Sequence, residues 1–177
     1  MSEIRRAAPG FMRRFAARIS EEDRAELRGT TGASDGGLAG RLAADAAETL
    51  AGGGRVWAVW LGAEPAAVFG VRPDSPLAAS AALWMVSSRE AERRPVAFAR
   101  WSCRCLAMAA EAFPEIASYW NWIPARDARC AAWLRFLGAR FPEGRGWVSP
   151  WTGETFVMFE IDISAPGAGK GEPCRES

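Results

Sequence analysis

The sequence predicts an α/β (α+β) domain in which helices cover both faces of a mixed sheet. Three observations carry that prediction. Asp127–Phe141 (DARCAAWLRFLGARF) reads as a capped amphipathic helix running into a strand. Cys130, Trp133, Leu134 and Leu137 recur there at spacings of three and four and share one face. Asp127 is placed to accept a bond from a free first-turn amide, and Gly138 stands where the chain must leave the helix. Next, Arg55–Leu61 (RVWAVWL) and Ala66–Val71 (AAVFGV), joined by Gly62–Pro65, read as a β-hairpin. Finally, the predicted elements run β-α-α-β-β-β-α-β-α-β-β, an order that packs as a sheet with helices on both faces.

In chain order, residues 1–11 are polar around Pro9-Gly10 and are expected to fray, and the domain is expected over 12–163. Phe11–Ile19 alternates, with Phe15, Ala17 and Ile19 on one side and Arg14, Ala16 and Arg18 on the other, so a strand is expected. Ser20-Glu21-Glu22-Asp23 resembles a capping box that opens a short helix to about Arg28, with acids where the dipole favours them. After a loop at Gly29–Gly37, Leu38–Leu50 is a second helix with Leu38, Leu42, Ala46 and Leu50 along a stripe. The hairpin follows. Ala82–Val86 is a strand, Ser87–Arg94 a charged connection, and Pro95 suits the first turn of a largely buried helix that Pro114 stops. Ile116–Ile123 is a strand, then come the Asp127 helix, a strand at Ala139–Phe141, a loop at Pro142–Gly153 and a last strand at Glu154–Ile161. Residues 164–177 are Pro/Gly-rich and polar, and are expected to form a disordered tail.

The 177 residues fit one domain, and a 49% hydrophobic content supplies its core. Lys+Arg number 22 and Asp+Glu 21, so there is no basic excess of the kind nucleic-acid binding uses. There is no His, which removes the commonest general base, the commonest zinc ligand and any ordinary serine triad. Cys103, Cys105, Cys130 and Cys174 form no C-x-x-C pair, so no metal is expected. No signal peptide and no run of membrane-spanning length is visible, which gives the expectation of a protein of the bacterial cytoplasm.

Several residues are candidates for chemistry, each with a bland alternative. Glu64, Asp74, Glu115 and Glu154 lie near predicted strand ends and read either as bases or as exposed turn carboxylates. Ser87 and Ser88 read as caps. Tyr119 is the one tyrosine, either a general acid or a packed aromatic. Trp147 and Trp151 either anchor a partner or cover the sheet edge. Gly167-Ala-Gly-Lys170 lacks the spacing and flanking elements of a P-loop.

The Asp127 helix resembles the second signature of the GCN5-related N-acetyltransferase (GNAT) fold, commonly Asn-x-x-Ala-x-x-x-Tyr-x-x-x-Gly-Phe. Asp127 stands at the Asn, Cys130 at the Ala, Leu134 at the Tyr and Gly138 at the Gly. The resemblance covers about residues 12–162 and implies a largely antiparallel central sheet. More narrowly, Ala66–Val71, Leu83-Trp84-Met85-Val86, Phe98-Ala99-Arg100, Ala125-Arg126-Asp127 and Trp133-Leu134-x-x-Leu137-Gly138 are similar to GNAT-like proteins of tailed phages typified by podoviral internal virion protein A. That likeness implies a phage or prophage protein acting in virion assembly through a protein partner, with acyl transfer weak or lost. The alternative is an N-acyltransferase using acetyl-CoA on an unknown amine.

The departures bear on that choice. The turn that in such enzymes resembles Gln/Arg-x-x-Gly-x-Gly/Ala is here Ser87–Val96, with no Gly and with Pro95, which has no amide. Leu134 cannot donate a proton. If CoA binds, the resemblance places Met85, Val86, Arg89, Arg93, Arg94 and Asp127 against it. The arginines read either as an anion site or as a paired, solvated loop. Binding in the usual manner requires a splayed gap between the strands at 82–86 and 116–123, not plugged by Trp84, Trp120 or Trp122.

Overall fold

A computed structural model describes residues 2–7 and 10–163. Strand β1 (Ser2–Arg6) leads to helices α1 (Phe11–Ala16), α2 (Glu21–Thr31) and α3 (Leu38–Ala51). Strands β2 (Arg55–Leu61), β3 (Glu64–Pro73) and β4 (Ser80–Ser87) follow, then the short helix α4 (Arg89–Glu92) and the long helix α5 (Pro95–Ala112). The chain ends with β5 (Ser118–Pro124), α6 (Ala128–Phe136), β6 (Gly146–Val148) and β7 (Thr155–Asp162). The strands form one seven-stranded sheet in the order β1-β2-β3-β4-β5-β7-β6. Every neighbouring pair is antiparallel except β4–β5, which is parallel.

Each face of the sheet carries its own core. On one, α5 and α6 bring Trp101, Cys105, Leu106 and Leu134 against Phe69, Tyr119, Ile123, Phe159 and Ile161. On the other, α1 and α3 bring Phe11, Phe15, Leu42 and Ala46 against Val56, Ala58, Val68 and Val86. Strand alternation sends neighbours to opposite faces: Leu83 and Met85 to the first, Trp84 and Val86 to the second. Trp84 lies flat over Gly70, where a Cβ would come within 2.5 Å of its indole. Glycine is what allows that approach.

Several sequence expectations are corrected. The N-terminal segment expected to fray contains β1, which pairs Ser2–Arg6 with Leu61–Trp57 at the sheet edge. An edge strand needs no apolar alternation, so SEIRR gave no strand signal. Phe11–Ile19 is not a strand but holds α1. Phe11, Phe15 and Ile19 are four apart, a spacing that fits a strand face and a helix face equally. Met12 and Ala16, also buried, decide for the helix. The expected strand at Ala139–Phe141 reduces to a single bridge, Arg140 with Glu160. The loop expected at Pro142–Gly153 contains β6, whose Trp147 stacks on Phe156 at 4.9 Å. The helix from Glu21 runs on to Thr31, and the charged connection after β4 contains α4. The predicted tail lies outside the described residues. Among the described residues no helix is long and apolar enough to cross a membrane.

Candidate functional site

The site begins where the parallel pair comes apart. The β4–β5 ladder joins Ser80, Ala81 and Ala82 to Ser118, Tyr119 and Trp120. Beyond Trp120 the strands diverge, and Asn121 caps the vertex. Its Nδ2 donates to the Leu83 carbonyl at 3.0 Å while its Oδ1 accepts from the Trp122 amide at 2.8 Å. One side chain thus satisfies two backbone groups that a continued ladder would have paired. At the other end of β4, the Ser87 amide donates to Asp23 Oδ2 at 2.7 Å. Strand alternation then turns the intervening N–H and C=O of Met85 the same way as Leu83 C=O and Ser87 N–H, into the gap.

The gap is a cleft of about 410 Å³. Leu83, Met85, Phe98, Trp133, Leu134 and Leu137 give it an apolar wall. The aromatic part of that wall is fixed: Phe98 packs on Trp101 and Trp133 at 4.7 and 4.9 Å, and Trp133 Nε1 donates to Ser102 Oγ at 3.0 Å. The tryptophans do not plug the gap. Trp84 donates to Thr49 Oγ1 at 2.9 Å on the α3 side, Trp120 to Asp74 at 3.0 Å, and Trp122 stands in the cleft wall.

Helix α2 crosses the open end. Its N-cap Ser20 accepts from the Asp23 amide at 3.1 Å and donates to Asp23 Oδ2 at 2.9 Å. Asp23 also accepts from the Ser87 hydroxyl at 2.5 Å, so it ties α2 to β4. At the far end, Gly29 lies under Phe156 of β7. α2 therefore bridges the two diverging halves and turns Glu22, Asp23 and Glu26 toward the cleft, where Glu92 of α4, Asp127 and Arg129 also stand. Burial pushes the Asp23 carboxyl up, against its serine hydrogen bonds. Glu26 is pushed well up by burial and by the charges of Asp23, Asp127 and Glu154. Glu22 and Glu92 both line the rim of the cleft. Burial, then the neighbouring Glu22 carboxyl, raises Glu92 to about 7, while the Glu92 carboxyl lowers Glu22.

Asp127 caps α6 as its sequence suggested, its Oδ1 accepting from the Cys130 amide at 2.8 Å, and Gly138 has φ +93° just past the helix end. Met85 and Asp127 line the cleft; Val86 is buried on the opposite face. Arg89, Arg93 and Arg94 stay on the outer surface. Arg89 pairs with Glu21, and Arg93 and Arg94 with Glu90 at 3.8 and 2.7 Å. Tyr119 is fully buried in the core away from the cleft; its hydroxyl has no hydrogen-bond partner among the described residues, and burial raises it to about 12. Among the carboxylates singled out from sequence, Glu64 pairs with Arg18, Glu154 with Arg126, and Asp74 accepts from Trp120. Ser87 bonds Asp23, and Ser88 caps α4. Trp151 rests on Gly32 at the end of α2.

Sequence reasoning missed Glu26, Glu92 and Asn121. Glu22 and Glu26 are one helical turn apart with no cation between them on that face, a signal passed over by reading Glu22 only as a dipole-complementing acid and leaving Glu26 unread. Asn121 had no signal, because its role exists only where two strands part.

A CoA-like cofactor fits this site in part. An extended amide-bearing arm matches the Met85 backbone edge and apolar wall, in the manner of strand addition. The turn after β4 has few backbone amides left to meet a diphosphate. The amides of Arg89, Ala91, Glu92 and Arg94 already donate to the carbonyls of Arg18, Ser88, Ser88 and Ala91. Pro95 has none, and α4 is a single turn, whereas the amides of Val96 and Ala97 in the first turn of α5 have no hydrogen-bond partner among the described residues.

No protein-family model matches this chain, and no curated protein matches it in sequence. Its structure resembles acetyltransferases. Spermidine N-acetyltransferase from Vibrio cholerae, solved with CoA and spermine, is 11% identical with a TM-score of 0.69, over 92% of this chain and 96% of that one. Ribosomal-protein-alanine N-acetyltransferase from Brucella melitensis is 15% identical with a TM-score of 0.67, over 91% and 99%. A GNAT-family acetyltransferase from Streptococcus pneumoniae is 11% identical with a TM-score of 0.63, over 92% and 99%. None of these structures bears on a role in virion assembly. The seven-stranded mixed sheet, its parted parallel pair and these likenesses together give the chain the GNAT acetyltransferase fold.

Proposed function

We propose that this chain is an N-acyltransferase that takes an acyl group from a pantetheine thioester, such as acetyl-CoA, and delivers it to an amine. The observation that carries this reading is the parting of β4 from β5 after three paired residues, with the Met85 backbone and an apolar wall facing the gap. Leu83, Phe98, Trp133 and Leu134 hold the arm's aliphatic part and exclude water. When bound, the thioester supplies a carbonyl carbon open to attack by an amine.

The carboxylates prepare the amine. An amine arrives as an ammonium ion, and Asp23 and Asp127 make the cleft attractive to it. Glu26 has no hydrogen-bond or ion-pair partner among the described residues and is assigned the general base. Its raised affinity for protons comes from burial and the neighbouring negative charges, and it serves to take the ammonium proton. Arg89, Arg93 and Arg94 are given no part in holding the arm. The test is release of free thiol from acetyl-CoA in the presence of mono-, di- and polyamines. Amine-dependent release is expected, and Glu26→Gln removes it. No release with any amine, together with no heat on titrating acetyl-CoA to millimolar concentration, would overturn the reading.

A further inference from the structure

The charged groups lining the cleft are almost all of one sign. Glu22, Asp23, Glu26, Glu92 and Asp127 face a single cation, Arg129, in a chain whose net charge is +1. Helix α2 is sorted the same way. Glu22, Asp23 and Glu26 lie toward the cleft, while Arg24 donates to the Ala16 and Ile19 carbonyls and Arg28 pairs with Asp35 at 2.6 Å. Two acceptors on the cleft side are unused among the described residues. Asp23 takes its donors on Oδ2, leaving Oδ1 open, and Glu26 has neither hydrogen bond nor ion pair, although burial is the main cause of its raised proton affinity. A carboxyl set that deep without a partner costs folding free energy until a ligand completes it. Among the described residues no three such groups meet closely enough to hold a metal ion. Glu22 and Glu26 are instead strung along α2, with Cβ atoms about 5–6 Å apart by helix geometry. A row of acceptors suits an extended organic cation better than a point charge.

From this we infer that the acceptor is a dication, an unbranched diamine whose reacting nitrogen lies at Glu26 and whose second ammonium is held at Glu22, about one helical turn away. The inference rests on the acyltransferase reading of the same cleft and adds the class of its acceptor. In the transfer, the N–C bond forms as the C–S bond breaks. One ammonium proton passes to Glu26 and on to solvent, a second leaves on the thiol, and the product keeps its other ammonium. A singly charged amine leaves Glu22 unanswered. Glu22 is exposed, so the second ammonium keeps much of its water and the attraction is screened by salt. Helix α2 is fastened over the open end through Asp23 on Ser87 and Gly29 under Phe156, so a slender chain passes beside it more readily than a bulky one.

The test compares three acceptors of equal chain length, with acetyl-CoA as donor and thiol release as the readout. Diaminobutane carries an amine at both ends, butylamine at one, and aminobutanol has a neutral hydroxyl in place of the second amine. At low salt, kcat/KM for diaminobutane is expected to exceed that of the other two by about five- to tenfold, well beyond the statistical advantage of two reactive ends, and the margin to shrink as salt is added. Glu22→Gln, a change at an exposed position that the fold tolerates, is expected to remove most of the margin of diaminobutane over butylamine. Equal kcat/KM for diaminobutane and aminobutanol would overturn the inference and leave the acyltransferase reading intact. A margin unchanged in Glu22→Gln would overturn the placing of the second ammonium. Calorimetric titration with diaminobutane alone separates the remaining cases. Binding that needs Glu22, with no acylation of any amine, would keep the dication site and overturn the acyltransferase reading; neither binding nor acylation of diaminobutane would overturn both.

Discussion

The inner half of the cleft and its rim adjoin in space, yet they are chemically opposite. At the vertex, Asn121 replaces a broken ladder with two side-chain bonds, and the wall beyond it is aliphatic and aromatic. At the rim, α2 and α4 bring Glu22, Asp23, Glu26 and Glu92 together beside the end of β4. The vertex is thermodynamically quiet: Asn121 satisfies Leu83 C=O and Trp122 N–H, the apolar groups are packed, and the Met85 backbone is left open to a ligand. The rim is loaded, with Asp23, Glu26 and Glu92 all holding protons more tightly than ordinary carboxyls. Such loading is seldom retained for stability, since like charges in a partly buried site cost folding free energy. The contrast separates a place that holds a neutral chain from a place that handles a proton.

The largest effect should come from the rim. Glu26→Gln is expected to lower the turnover of amine acylation by about 100- to 10,000-fold, with pantetheine binding unchanged by calorimetry. Equal loss of binding would make Glu26 part of the arm site and blur the division. Next, Leu134→Ala removes a side chain that is 3% exposed between core and cleft. It is expected to cost about 2–5 kcal/mol of stability in denaturant unfolding, with little change in pH profile.

A smaller effect is expected at the vertex. Asn121→Ala leaves Leu83 C=O and Trp122 N–H without their partner. It should cost about 1–3 kcal/mol and speed hydrogen exchange at Trp122 before other β5 amides. The smallest is a pH dependence. Glu92 titrates at about 7 in the folded chain against an ordinary value of 4.5, so the folded state holds an extra proton between them. Its contribution to stability is complete below about pH 4.5 and is lost as pH rises through about 7. Thermal unfolding of the parent should therefore show a decline over that window that Glu92→Gln flattens. Glu22, Asp23 and Arg129 face the same group, so a decline unchanged in the variant would move the proton to one of the carboxyls.

Legibility followed locality. The α6 unit was readable because its cap, stripe and glycine lie within twelve residues, and each signal is local chemistry. The β2–β3 hairpin and α5 were readable for the same reason. β1 was not, because an edge strand of mostly polar residues is specified by the partner it finds. α1 was misread because a spacing of four satisfies both periodicities. The site divided along the same line. Asp127 was legible as a cap from the pattern around it and Met85 only through the family resemblance, but the meeting of Glu22 and Glu26 with Glu92, some 70 residues on, depends on α2 crossing the sheet. The three arginines were conspicuous in sequence and are spent on Glu21 and Glu90 in the fold.

The central claim is that a thioester arm lies along the Met85 edge of β4. Amide NMR of the nitrogen-labelled chain titrated with pantetheine tests it most directly. The account predicts that the Met85 amide and the Trp133 indole resonances shift together and saturably, while the amides of Arg89, Arg93 and Arg94 stay where they are. Shifts confined to the Arg89–Arg94 turn, or none at saturating ligand, would contradict it.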